Sequence, residues 1–151
     1  MDKIVVSETE QIAMELLSLT PLLNRIIAYE LNKSEQDETT IVQLRVLSHL
    51  VEEPITMSDL AKRRRVSLQA SSEHVQGLVE RGWVERVADK HDRRRFLLHI
   101  TEAGRLQFED VRHQLIMSLV PTLENLTEDD SMQIRQSIAS LRQVLLQHPI
   151  D

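Results

Sequence analysis

Residues 56–105 read TMSDLAKRRRVSLQASSEHVQGLVERGWVERVADKHDRRRFLLHITEAGR, and the order of signals along them decides the fold. Thr56-Met-Ser-Asp59 resembles a capping box, with an acidic side chain at the third helical position, so the spacing predicts a short helix over 57–64. Ser67 is placed to cap a second helix that runs to Arg81, with Leu68, Val75 and Leu78 facing the core. Gly82 then supplies the residue that tolerates positive φ at a helix end. Beyond it the apolar period drops to two. Trp83–Val87 alternates, and Phe96, Leu98 and Ile100 fall on one face of a second extended run. These two strands make an antiparallel hairpin around a basic tip, 88–95.

Reading outward, Ile41, Leu44, Leu47, Leu50 and Val51 mark a preceding helix that Pro54 closes, and the polar segment from Asn32 to Thr40 is a loop. From Ser7 to Leu31, Ile12, Leu16, Leu19, Leu23, Ile26 and Ile27 recur at helical spacing. A helix of that length is about 36 Å long at ~1.5 Å per residue, more than a small domain spans, so part of it is expected to meet another chain. Thr101 caps a further helix through Leu119, which Pro121 is expected to end, and Thr127-Glu-Asp-Asp130 opens a last one carrying Ile134, Ile138, Leu141 and Leu145. The fold class is mainly α with a small β-hairpin. One domain, 1–151, is expected, with a helix-helix-helix-hairpin core at 41–104 flanked by long helices, 7–31 and 105–148, that form a dimer.

Charge is zoned along this chain, whose formal net charge is −6. Residues 60–95 hold ten basic against five acidic residues, while 1–59 hold four against eleven and 96–151 four against eight. A basic middle between acidic ends suggests one face for a polyanion, with nucleic acid the first candidate. Cysteine is absent, which excludes disulfides, thiolate metal sites and thiol redox chemistry. No apolar run approaches the ~20 residues that span a bilayer, and there is no signal-like segment, so a soluble, cytoplasmic protein without a membrane partner is expected. The three glycines fit no phosphate loop or nucleophile elbow and H-E-x-x-H is absent, so no enzyme is expected. His49 near Glu52 and Glu53, and His113 near Glu109 and Asp110, have the spacing of ordinary helix-surface pairs. Neither a metal nor another cofactor is expected.

The element order, the stretch at 56–86, and the hairpin with Asp89, His91, Asp92 and Arg94 followed by Ile100, Thr101 and Gly104 resemble the MarR (multiple antibiotic resistance regulator) family of winged helix-turn-helix transcription factors. The wing pattern of that family is Asp-x-Arg-Asp-x-Arg, a strand, then Leu-Thr-x-x-Gly; here His91 replaces an arginine and Ile100 a leucine. The sequence also departs from the family at Arg64-Arg65, where an apolar residue and glycine are usual, and at Ser71 and His74, which are commonly apolar core. The resemblance implies a homodimeric, ligand-responsive regulator, most often a repressor, on a pseudo-palindromic operator in double-stranded DNA. It further implies a small lipophilic or phenolic effector between the dimerisation helices and the DNA-binding lobe. Leu23, Ile27, Leu44 and Leu47 are explained by core packing alone, so no effector residue is assigned.

On that resemblance the helix capped by Ser67 is the recognition helix, and Ser67, Gln69, Ala70, Ser72, Glu73 and Gln76 face outward. Gln suits adenine, Glu73 a cytosine amino group, and Ala70 a thymine methyl. Arg63, within the run Lys62–Arg65, suits the DNA backbone, although cations at a helix C-terminus also suit its dipole. In the wing, Lys90, His91, Arg93 and Arg94 are candidates for phosphate or minor groove, with Asp89 and Asp92 bracing the loop. The competing reading is a winged-helix protein-interaction module that does not recognise a DNA sequence. Salt dependence of duplex binding separates the two.

Overall fold

Thr40 begins the folded core by closing a reciprocal cap: its hydroxyl accepts the Gln43 amide at 3.2 Å, and the Gln43 side chain accepts the Thr40 amide at 3.1 Å. Both bonds occupy donors that a helix start leaves unpaired. The helix so opened is α2, Ile41–Glu52, the second in a chain that a computed structural model describes over residues 7–33, 39–90, 92 and 94–147. The described elements are α1 (Glu8–Lys33), α2, β1 (Ile55–Thr56), α3 (Met57–Arg63), α4 (Leu68–Glu80), β2 (Val84–Ala88), β3 (Phe96–Ile100), α5 (Glu102–Leu123) and α6 (Glu128–Gln147). The chain divides into two compact units, with the boundary inside α5 between Leu115 and Ile116.

In the first unit the strands form one antiparallel sheet in the order β1-β3-β2, with Val84 opposite Ile100 and Ala88 opposite Phe96. β1 is a two-residue strand that pairs Ile55 with Leu98, and two residues are too few to carry a readable period. Val46, Leu47 and Leu50 of α2, Ile55, Leu60 of α3, Val75 and Leu78 of α4, Val84 and Leu98 make one continuous core. The junction of hairpin and α5 is tight. The Thr101 hydroxyl donates to the Gly82 carbonyl at 2.6 Å and accepts the Gly104 amide at 3.0 Å. A Cβ on Gly104 would stand 2.1 Å from the Trp83 carbonyl oxygen, which is why glycine is needed there. Gly82 itself sits at φ 72, as its place after α4 predicts.

Several expectations are corrected. Leu68 does not face the core: it is 56% exposed, because the first turn of α4 borders an open cleft and the buried stripe begins one turn later at Ser71. Phe96 shares the alternation of Leu98 but is equally exposed, since it lies at the wing end of β3, opposite Ala88. Pro121 lies within α5 instead of ending it. Proline lacks one donor but has a helical φ of its own, so the helix continues to Leu123 and closes with the Glu124 amide on the Val120 carbonyl at 3.0 Å. α1 likewise runs through Pro21, and by length and composition alone it is long and apolar enough to cross a bilayer, although polar residues interrupt its apolar runs.

In the second unit, Thr127 opens α6 as its sequence predicts: its hydroxyl accepts the Asp130 amide at 3.1 Å, and Asp130 accepts the Thr127 amide at 3.2 Å. The Thr127 hydroxyl also donates to the Asp130 carboxylate at 2.6 Å, and this bond, then the one from the Thr127 amide, holds the Asp130 carboxyl below its ordinary pKa.

Candidate nucleic-acid interface

The turn between α3 and α4 is built by backbone. Arg65 donates to the Lys62 carbonyl at 3.0 Å and Val66 to the Ala61 carbonyl at 3.1 Å, and Arg65 takes φ 51, a left-handed conformation that favours glycine. The departure from a glycine turn therefore changes the residue and not the turn. Ser67 then caps α4, its hydroxyl accepting the Ala70 amide at 3.1 Å.

Val75 and Leu78 anchor α4 and leave Gln69, Glu73 and Gln76 exposed. These side chains are paired among themselves: Gln69 donates to Glu73 at 3.2 Å, Gln76 donates to Glu80 at 3.0 Å, and Arg86 of β2 donates to Gln76 at 3.3 Å. Such exposed bonds stabilise the helix by a few tenths of a kcal/mol each and are readily exchanged for a base edge. Ala70 and Ser72 are half-buried. Ser71 lies fully inside with its hydroxyl unpartnered, where the fold favours an apolar side chain. His74 is half-buried, and both terminal guanidinium nitrogens of Arg64 lie 3.4 Å from its Nδ1. Burial, and then the neighbouring Arg45, lower the Arg64 pKa.

Arg63 is ion-paired to Glu53 across the α2–α3 corner, both partners being exposed. Pairs of this kind contribute about 0–1 kcal/mol, little enough for a phosphate to compete. In the wing, Asp89 donates its amide to the Arg95 carbonyl at 2.9 Å, and Arg95 its amide to the Asp92 carbonyl at 2.9 Å, so the tip is closed by its own backbone. The Asp92 carboxylate accepts both the amide of Arg94, at 3.1 Å, and its Nε, at 3.3 Å. The Arg94 side chain nevertheless remains 92% exposed. Lys90 is exposed; His91 and Arg93 lie outside the described residues.

Between α3, the start of α4 and the sheet lies an open cleft of about 680 Å³, lined among others by Lys62, Leu68, Ser72, Arg86, Arg95 and Phe96. Arg95 lies 3.9 Å from Asp59 of the α3 cap. From sequence, Arg86 and Arg95 carry no binding role, and Leu68 and Phe96 are grouped with core-facing residues. Arg86 had a readable signal, because its place two residues after Val84 puts it on the cleft side of β2. Away from this face, His49 is half-buried. Its pKa is lowered by burial first, opposed by Glu52 and reinforced by Arg63 and Arg64. Among the described residues no three His, Asp or Glu side chains gather into a possible metal set.

A profile of the MarR family matches residues 38–95, which span α2 through the wing loop. The transcriptional repressor MdtR of Bacillus subtilis is 29% identical over 128 residues, 84% of this chain and 83% of that protein. The apo crystal structure of MarR from E. coli superposes with a TM-score of 0.70 at 25% identity, over 93% of this chain and 98% of that one. Streptococcus pneumoniae FabT, solved in complex with DNA, shares the fold with a TM-score of 0.67 at 22% identity, over 93% of this chain and 99% of its own.

Proposed function

Because this chain belongs to the MarR family of DNA-binding transcriptional regulators, we propose that it acts as a homodimeric repressor on a pseudo-palindromic operator and is released by a small lipophilic or phenolic effector. The observation that carries the DNA reading is the combination, on one lobe of an acidic chain, of a capped α4 with a polar outer face and a wing whose Arg94 is held outward by Asp92. Gln69 and Glu73 supply the amide and carboxylate suited to base edges, while Arg63, Lys90 and Arg94 supply charge for the backbone. Repression is supported by MdtR, which bears that name. The dimer is supported by exposed apolar residues such as Ile12, Leu19 and Leu23 of α1 and Ile138 and Leu145 of α6. A dimer interface is also a use for the apolar α1 that needs no bilayer.

Duplex titrations at several salt concentrations test the reading. Wild type is expected to select a two-fold symmetric site from a randomised pool, with affinity falling steeply as salt rises. Arg94→Ala should weaken the operator and unrelated duplex alike and make the salt slope shallower by about one. Asp92→Ala should reproduce much of that loss. Absence of duplex selection, with salt-insensitive capture of a protein partner, would overturn the proposal in favour of an interaction module.

A further inference from the structure

We infer that Leu68 recognises the 5-methyl group of a thymine in the major groove, an inference that rests on the DNA-binding reading above. Leu68 is the first residue of α4, directly after the Ser67 cap, and it is 56% exposed where Val75 and Leu78 of the same helix are fully buried. The opening residues of a recognition helix are those that approach base edges. The groove offers a bulky aliphatic side chain one apolar partner on a base edge, the thymine methyl.

The surroundings favour DNA. Lys62, Arg86 and Arg95 line the same cleft as Leu68 and outnumber Asp59, which lies 3.9 Å from Arg95, so an apolar centre lies in a net cationic lining suited to the flanking phosphates. Gln69 and Glu73, the neighbouring polar readers, are hydrogen-bonded to each other and leave Leu68 uncovered. Ala70, to which residue type alone assigned the methyl contact, is half-buried and offers a single carbon.

The test is a cycle between protein and DNA. On the duplex selected by wild type, each thymine is replaced in turn, in both half-sites, by deoxyuridine, which removes the methyl and nothing else. Wild type should lose about fourfold in affinity per methyl removed at one symmetric position, the effect of burying one such group. Leu68→Ala, whose urea midpoint should match wild type because the side chain is exposed, should bind the unmodified duplex more weakly and be indifferent to deoxyuridine at that position. Equal responses of both proteins to every deoxyuridine would overturn the inference while leaving sequence-selective binding intact. Failure to select any duplex would overturn the regulator reading and this inference with it.

Discussion

The winged core and the flanking helices α1 and α6 are made of similar aliphatic residues, yet they use them in opposite ways. α2, α3, α4 and all three strands contribute to one core, whereas α1 and α6 have no buried residue. Composition therefore does not decide burial; an opposing surface does. The core finds its opposing surfaces within one chain. For α1 and α6 we propose a second copy. Association costs about 4–15 kcal/mol, and burying the exposed half of an Ile or Leu contributes about 1 kcal/mol, so several such residues from each chain are needed.

The sharpest test of that contrast sets Leu60→Ala beside Ile138→Ala. The core substitution should cost about 2–5 kcal/mol whatever the protein concentration, as followed by urea unfolding. Ile138→Ala should leave the core intact and weaken self-association in analytical ultracentrifugation. An unfolding midpoint independent of concentration in both wild type and Ile138→Ala would break the comparison.

A smaller effect lies in the turn between α3 and α4. Arg65→Gly should raise stability by about 0.5–1 kcal/mol, since a side chain at φ 51 is more costly than the added freedom of glycine in the unfolded chain. A fall in the urea midpoint would show that Arg65 has interactions worth more than its backbone strain.

The smallest expected effect is on pH. His49 is shifted below its ordinary value of 6.5, so the unfolded chain takes up a proton before the folded one does. Its contribution to stability is therefore complete above pH 6.5 and declines as pH falls from there towards the folded pKa. His49→Gln should flatten the pH dependence of the midpoint in that window. An unchanged profile would show that the half-buried imidazole is solvated well enough to titrate normally.

Much of the fold was legible because its signals are local. Thr56, Ser67 and Thr127 each find their capping partner within three residues, and Gly82 needs only its own φ. In the candidate site, the hydrogen bonds from Arg94 to Asp92 are equally local, spanning two residues. Tertiary structure decided the rest. Leu68 and Phe96 follow the periodicity of buried neighbours, but the described residues leave each of them 56% exposed, lining the cleft. β1 exists because Ile55 reaches Leu98 across the fold, and Arg86 meets Gln76 only once sheet and helix are packed. Caps and turns are settled by atoms a few bonds apart along the chain. Burial and clefts depend on which distant segments approach, and a side chain's period carries no record of whether anything lies opposite it.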